Sequence, residues 1–216
     1  CPVHILDYDA GERKLDHSVF YLSFADEMRQ LLSVETPKEL SNVETHITGS
    51  VRQLCLTAER ICKELGYETA ILTDRLSCTA RDAGSFLGSI ARYHGNSGKK
   101  RAFIAGGETV VHLSGNGLGG RNQELALAAA EALAGAEHAA IISVGSDGTD
   151  GPTDAAGGYV DGDTVRELAQ KGLDIREYLD NNDSYHALEA VGNLIITGPT
   201  GTNVNDVTVC LLDNGK

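Results

Sequence analysis

Residues 115–154 constrain the fold of this chain more than any other part of its sequence. They open with a glycine-rich segment, continue through an Ala- and Leu-rich run over Arg121–Leu133, and pass through the apolar residues 139–144 into an acidic turn. The alanine- and leucine-rich run predicts a helix that is buried on most of its faces. The apolar run that follows predicts a strand inside a parallel sheet. This stretch therefore indicates an α/β layer with polar loops at the ends of its strands.

The composition is that of a globular protein with an acidic balance. Of 216 residues, 41% are hydrophobic and 23% are charged, which is enough apolar material for a core. A net charge of -13 disfavours a nucleic-acid partner and repels polyanions at long range. No apolar run approaches the ~20 residues of a transmembrane helix, so no membrane partner is expected. The chain start lacks a secretory pattern. The five scattered cysteines predict small buried side chains in a reducing cytoplasm rather than disulfides or a zinc site.

Helices and strands are predicted to alternate along the rest of the chain. The periodicity and caps predict helices over 18–34, 51–65, 79–93, 163–170 and a broken helix over 175–191. Strands are predicted over 44–48, 67–73, 193–197 and 207–212. Two further short strands, 101–105 and 109–113, are predicted to pair as a hairpin or a bent ribbon around the Gly-Gly pair at 106–107. The polar segment 94–100 is the best linker candidate.

The first candidate site is the glycine-rich segment 115–120 and the start of the helix after it. Glycines let backbone amides approach an anion, and Arg121 could hold a phosphate or carboxylate with two parallel hydrogen bonds. The spacing matches neither a P-loop nor a well-placed dinucleotide fingerprint, so a plain connection between a hairpin and a helix is an equal alternative. The dense polar cluster at the helix start favours ligand binding. The expected binding residues are Gly107, Glu108, Gly117, Gly119, Gly120, Asn122 and Glu124.

The second candidate is the acidic turn 146–154, which follows the predicted buried strand. Its residues Asp147 and Asp150 could hold Mg²⁺ through one or two carboxylates, with substrate phosphates completing the coordination shell. The alternative is a structural turn, for which aspartate and glycine are ordinary residues.

The third candidate is the polar segment 198–206 between the last two predicted strands. Its hydroxyls and amides could bind a sugar acid or a ribose, and the alternative is again a structural turn. The expected binding residues are Thr200, Thr202, Asn203 and Asn205.

Five motifs, taken in order and spacing, resemble one known family. They are GGET, GGRNQELAL, GSDGTDGPTDAAG, DNNDSY and TGPTGTNVND, at 106–109, 119–127, 145–157, 180–185 and 197–206. These motifs resemble the MOFRL domain, the carboxyl-terminal domain of the type II glycerate kinases, whose members have also been labelled hydroxypyruvate reductases. The resemblance implies an α/β fold in two parts. Residues 1–98 would be a truncated Rossmann-like amino-terminal domain, and residues 99–216 would be a mixed-sheet α/β/α MOFRL domain.

The resemblance also implies an activity, a glycerate 2-kinase that phosphorylates D-glycerate to 2-phosphoglycerate with ATP and Mg²⁺. Its partners would be the small-molecule substrate, the nucleotide and a homo-oligomeric copy or a missing amino-terminal half. Arg121 matches the arginine expected to contact substrate or phosphate, and Asp147 and Asp150 fall on the acidic turn of the family.

The family's amino-terminal half, with a lysine thought to assist catalysis, has no counterpart in this sequence. The chain is therefore expected to be a carboxyl-terminal fragment, a rearranged subunit or an inactive remnant. Two alternatives to a kinase stay open: an NAD(P)H-dependent hydroxypyruvate reductase, which the missing dinucleotide fingerprint disfavours, and a non-catalytic ligand-binding or assembly remnant.

Overall fold

The computed structural model describes residues 49–95 and 97–213 of the protein. They belong to one compact unit, Ile47–Lys216. The helix predicted over 18–34 and the strand predicted over 44–48 lie outside the described residues.

One six-stranded mixed sheet forms the middle of this unit. In chain order its strands are β1 (Glu68–Leu76), β2 (Lys100–Gly107), β3 (Ala139–Gly145), β4 (Gly157–Asp161), β5 (Leu194–Ile195) and β6 (Asp206–Asp213). Across the sheet the order is β1-β2-β6-β3-β4-β5. The pair β1–β2 is parallel, and every other neighbouring pair is antiparallel. The division of the chain at residue 98 stays a prediction, and β1 and β2, which flank it, are neighbours in this sheet.

The hairpin predicted around Gly106-Gly107-Glu108 is wrong. Instead of turning back on itself, β2 pairs with β1 on one side and β6 on the other. After β2 the chain crosses to the end of β1, where Glu108 N donates to Leu76 O at 2.8 Å. Val110 makes only an isolated bridge with Thr79, so no second strand forms.

The parallel environment predicted for β3 is also wrong, because both of its neighbours run antiparallel to it. The mostly apolar sequence of β3 indicates burial, with residues alternating between buried and partly buried, and it does not fix the direction of the neighbouring strands. The sequence patterns also missed β4, since its first two residues, Gly157 and Gly158, are typical of a loop.

Six helices complete the described part of the chain, and they agree well with the predicted ones. They are α1 (Val51–Glu64), α2 (Ala80–His94), α3 (Arg121–Leu133), α4 (Thr164–Gln170), α5 (Ile175–Asp180) and α6 (Ser184–Val191). Side-chain caps begin the first two, since Ser50 Oγ accepts from Gln53 N at 3.3 Å and Thr79 Oγ1 accepts from Asp82 N at 3.2 Å. Such caps satisfy amides that have no partner within the helix.

The core lies on both faces of the sheet. On one face α1 packs through Cys55 against Ile104 and Val207. On the other face the main core contains α3, whose buried residues include Leu125 and Leu127. The predicted α/β class with a mixed sheet is confirmed.

Two properties of the described residues bear on the cysteines and on membranes. Cys55, Cys62 and Cys210 are buried and unpaired, as predicted, whereas Cys78 is exposed. None of the described helices is long and apolar enough to cross a membrane.

The sheet topology gathers three loops at one end, which we call the loop end. There β2 and β3 finish and β6 begins, because Asp206 is paired with Gly107 on one side and with Gly145 on the other. The loops over 108–120, 146–156 and 196–205 therefore leave from the same end of the sheet.

Candidate functional site

The acidic turn and the final polar segment meet at the loop end, as the two sequence candidates require. Ser146 N donates to Asn205 O at 3.0 Å, and Val204 N donates to Ser146 Oγ at 2.8 Å. Thr200 N donates to Asp147 O at 3.1 Å. The acidic turn also packs on the glycine-rich segment, because a Cβ on Gly151 would lie 2.5 Å from Gly119 O. The three candidates thus form one surface.

Arg121 occupies the first position of α3 and is held by Asp206. Its Nε donates to Asp206 Oδ2 at 2.5 Å and its Nη2 donates to Asp206 Oδ1 at 3.0 Å. Two parallel charge-assisted hydrogen bonds fix the plane of the guanidinium as well as its position. The third nitrogen, Nη1, lies 3.7 Å from Glu108 Oε1.

The charge around Arg121 is dominated by carboxylates. Hydrogen bonding to Asp206 raises the pKa of Arg121, and the nearby charges of Glu108 and Asp150 act in the same direction. Asp147 belongs to the same neighbourhood, since a Cβ on Gly145 would lie 3.2 Å from Asp147 Oδ1 and 3.5 Å from Asp206 Oδ1. The arginine stays charged, and it is the basic group that the structure places among these acids.

Three of the four glycines in segment 115–120 are required for packing against the loop that joins α5 to α6 and against the first residue of α6. A Cβ on Gly115 would lie 2.3 Å from Asn181 O, and one on Gly117 would lie 2.4 Å from Asp183 Cβ. A Cβ on Gly119 would lie 2.2 Å from Ser184 Oγ. These distances are shorter than any real Cβ contact, so a side chain at these positions would push the two loops apart.

Most amides of the same segment are already used within the protein. Gly115 N donates to Asn182 Oδ1 at 2.9 Å, Gly117 N to Asn181 O at 2.8 Å, and Leu118 N to Asp183 Oδ1 at 2.9 Å. The amides of Gly119 and Gly120 make no hydrogen bond within the described residues. Within segment 115–120, the backbone amides left for the predicted phosphate cradle are therefore those of Gly119 and Gly120, next to Arg121, and the cradle itself stays a prediction.

Asn182 is the centre of the contact that holds this segment. Its Oδ1 accepts from Ser114 N at 2.7 Å, and its Nδ2 donates to His112 O at 3.1 Å and to Glu124 Oε2 at 3.0 Å. Glu124, only 3% exposed, also lies 3.4 Å from Arg81 Nε. Glu124, predicted to bind a ligand, is therefore engaged by two protein side chains.

Asp150 caps α3 from the acidic turn. Its Oδ2 accepts from Gln123 N at 2.8 Å, and its Oδ1 accepts from Asn122 N at 3.1 Å and from Asn122 Nδ2 at 3.2 Å. Burial raises the pKa of Asp150 to about 6, and the hydrogen bonds from Gln123 and Asn122 act against that rise. A carboxylate at this position occupies the end of the helix that would otherwise attract an anion.

Asn122 is likewise an internal residue, since only 1% of it is exposed. Its Oδ1 accepts from Ser143 Oγ at 2.7 Å, and that hydroxyl lies 2.9 Å from Thr208 Oγ1. This chain of hydrogen bonds connects Asp150 through α3 to the middle of the sheet.

The donor set does not fit Mg²⁺ held jointly by Asp147 and Asp150. Asp150 directs both oxygens at α3, and Asp147 Oδ1 accepts from Thr149 N at 3.0 Å. Among the described residues, no three His, Cys, Asp or Glu side chains are placed to hold a metal together. A hard cation needs several free oxygen ligands, and this pair does not supply them.

The final polar segment is partly engaged in its own turn. Thr200 Oγ1 donates to Ser146 O at 2.5 Å, and Asn203 Oδ1 accepts from Asn205 N at 3.4 Å. Thr202 and Asn203 are exposed, and Asn205 has a positive φ of 65°. The ligand-binding roles predicted for these four residues stay predictions.

A cleft of about 620 Å³ opens beside Arg121. Polar residues on its wall include Glu108 and Glu124, and Val110 and Leu113 contribute an apolar wall. Gly119 and Gly120 line the same cleft. A small anionic molecule in this cleft would meet Arg121 as the charged donor.

Two residues that organise the site were not among the predicted ones. Asp206 stands at the end of a polar turn in the sequence and looks like one more turn residue. Asn182 lies in the DNNDSY motif, which carried the resemblance without a role of its own. In the sequence, Asp206 is distinguished only by its place directly before the last predicted strand, and that position does not identify its partner Arg121.

Comparison with known proteins finds relatives that are named glycerate kinases. The model of the MOFRL family matches residues 101–206. A D-glycerate 2-kinase from Thermotoga maritima is 53% identical over 192 residues, which are 87% of this chain and 46% of that protein. A glycerate 2-kinase from Pyrococcus horikoshii is 43% identical over 188 residues, covering 84% of this chain and 42% of that protein.

A solved structure supports the same assignment. The crystal structure of a glycerate kinase from Thermotoga maritima matches with a TM-score of 0.82 and 54% identity, over 86% of this chain and 45% of that one. The chain spans about half the length of the curated relatives that it matches. The motifs, the fold and the identities agree that residues 101–206 of this chain are a domain of the MOFRL family.

Proposed function

We propose that the protein takes part in the ATP-dependent phosphorylation of D-glycerate to 2-phosphoglycerate, as the part of a glycerate 2-kinase that carries the MOFRL domain. The names of relatives at 53% and 43% identity support this activity. The covered length is about half of each relative, so the activity of the whole protein is inferred from those names.

The observation that carries the proposal is the position of Arg121. It lies at the start of α3, beside the cleft, with its guanidinium fixed by Asp206. Phosphoryl transfer depends mainly on positioning and on neutralising charge at the transferred group. Arg121 would bind an anionic oxygen of glycerate or of the transferred phosphoryl group, with the amides of Gly119 and Gly120 beside it.

Magnesium enters this proposal with the nucleotide. Mg²⁺ commonly keeps most of its ligands as water and substrate phosphates, so ATP can bring the ion without a dedicated cage of aspartates. The residues of the acidic turn then serve the site by holding α3 and the final polar segment in place.

An assay of 2-phosphoglycerate formation from D-glycerate and Mg²⁺-ATP tests the proposal on the natural protein. Arg121→Ala should lower kcat/KM by about 100- to 1000-fold, the usual cost of removing one donor to a developing anion. The matched control is Arg166→Ala, an exposed arginine paired with Asp163 at the other end of the sheet. If both variants keep full activity, or the natural protein makes no 2-phosphoglycerate, the proposal is wrong. Oxidation of NADH or NADPH with hydroxypyruvate in the same preparations tests the reductase alternative.

A further inference from the structure

We propose that Asp206 is the positioning residue for Arg121 in the transfer step. The expected effect on catalysis rests on the proposed function, whereas the positioning itself rests on the geometry of the Asp206–Arg121 pair. Asp206 is not expected to contact substrate, because both of its carboxylate oxygens accept from Arg121.

The two contacts of Asp206 leave one part of the guanidinium available. They use the N–H of Nε and one N–H of Nη2, so both N–H groups of Nη1 and the second N–H of Nη2 are left for an anion. The planar guanidinium has donors in fixed directions, and holding one edge therefore aims the remaining donors. Without Asp206, the long arginine side chain would sample several rotamers and lose this aim.

Asp206 can act in this way because it is itself fixed. It is the first residue of β6, with β2 and β3 hydrogen-bonded on its two sides, and its side chain is 8% exposed. A group held on a central strand is placed more accurately than one on a loop. Its neighbours across the sheet, Gly107 and Gly145, carry no side chains beside the pair.

Glu108 differs from Asp206 in a way that assigns it another role. Its side chain is 57% exposed and its Oε1 lies 3.7 Å from Nη1, beyond hydrogen-bond distance. An arriving anion can take the place of this loose carboxylate at Nη1, whereas Asp206 stays on Nε and Nη2. Asp206 and Glu108 therefore form a matched pair for experiment, one close and buried and the other loose and exposed.

The test compares Asp206→Asn, Asp206→Glu and Glu108→Gln in the natural protein. Asp206→Asn should lower kcat by about 100-fold, the scale of a misplaced catalytic group, with little change in the KM of ATP. Asp206→Glu should recover part of kcat, because it restores the charge. Glu108→Gln should lower kcat less than Asp206→Asn does, because its side chain is not hydrogen-bonded to Arg121. The control that should leave kcat unchanged is Arg166→Ala, whose exposed partner Asp163 lies at the other end of the sheet.

A second measurement does not depend on turnover. The Nε–H signal of Arg121 in ¹⁵N NMR should be protected from exchange in the natural protein and in Glu108→Gln. It should lose that protection in Asp206→Asn. If Asp206→Asn does not fold, Asp206→Glu is judged by the same signal, which should shift while staying protected.

The outcomes separate the two proposals. If the natural protein does not phosphorylate glycerate, the proposed function fails, and the Nε–H signal alone decides whether Asp206 positions Arg121. An unchanged signal in Asp206→Asn, or an unchanged kcat in an active enzyme, overturns the role of Asp206. A lower kcat and a loss of Nε–H protection in Asp206→Asn, with partial recovery of kcat in Asp206→Glu, support the role of Asp206.

Discussion

The two ends of the sheet each carry a cleft of similar size, about 620 Å³ beside Arg121 and about 570 Å³ beside Arg166. We call the second the opposite end, where β3 begins and β4 and β6 finish. At the loop end, Glu124 and Asp150 are 3% and 2% exposed. Glu124 accepts from Asn182 and pairs with Arg81, and Asp150 accepts hydrogen bonds from Asn122 and Gln123. At the opposite end the ion pair between Arg166 and Asp163 is exposed, with 63% and 56% of the two side chains open to solvent.

This difference teaches that cleft volume does not identify a site in this fold. Burying polar groups costs free energy unless their partners are in place. At the loop end, the buried polar groups have their partners, in a hydrogen-bond network that holds Arg121 and the glycine-rich segment in place. At the opposite end, the exposed ion pair of Arg166 and Asp163 is a surface contact that contributes little to stability.

The first prediction compares two residues with positive φ, one at each end. Asn182→Gly should lower the free energy of unfolding by about 4 kcal/mol, because about four hydrogen bonds are lost at roughly 1 kcal/mol each. His138→Gly, at the opposite end, should be neutral or slightly stabilising. Both residues have φ near that of left-handed helix, 53° and 62°, which glycine adopts without strain. Urea unfolding measures both, and equal losses would contradict the comparison.

The second prediction concerns pH and Asp150. Its pKa is about 6 in the folded protein against an ordinary 3.8, so the folded state binds this proton more tightly than the unfolded state. The stability from the protonated form is fully present below about pH 3.8 and is lost as pH rises through about 6. That loss amounts to at most about 3 kcal/mol.

Other carboxyl groups also titrate in this range, so the measurement is a difference. The stability of the natural protein minus that of Asp150→Asn should fall between pH 4 and pH 6 and then stay level. A difference in stability that does not change with pH over this range would show that burial does not raise the pKa of Asp150.

The third and smallest prediction compares two aspartates that cap helices. Asp150 accepts from the amides of Asn122 and Gln123 at the start of α3, and Asp161 Oδ1 accepts from those of Asp163 and Thr164 at the start of α4. Asp150→Ala should cost about 2 kcal/mol and Asp161→Ala about 1 kcal/mol, because the buried cap leaves amides that water cannot reach. Thermal and urea unfolding at pH 7 check the order, and a larger loss in Asp161→Ala would refute it.

The helices were predictable because their signals are local. Ser50 and Thr79 directly precede the helices that they cap. The periodic apolar positions that predict each helix lie within that helix. The strand partners were not predictable in the same way. Whether β3 has parallel or antiparallel neighbours depends on β6, which lies about sixty residues further along the chain.

The location of the site could be predicted from the sequence, whereas the roles of its individual residues were harder to predict. Arg121 and the three polar segments meet at one end of the sheet because each follows or precedes a strand that ends there. The roles of Asp150 and Glu124 depend on which groups face them after folding. In sequence, a carboxylate that caps a helix and one that binds a ligand look the same.

The central claim is that the loop end is the ligand site, and residue-resolved NMR tests it most directly. Amide spectra of the natural protein are followed during titration with D-glycerate and with Mg²⁺-ATP. The largest shift changes should fall on Glu108, Gly119, Gly120 and Arg121, with little change over residues 135–140 at the opposite end. Shift changes concentrated at the opposite end, or none at saturating ligand, would contradict the account.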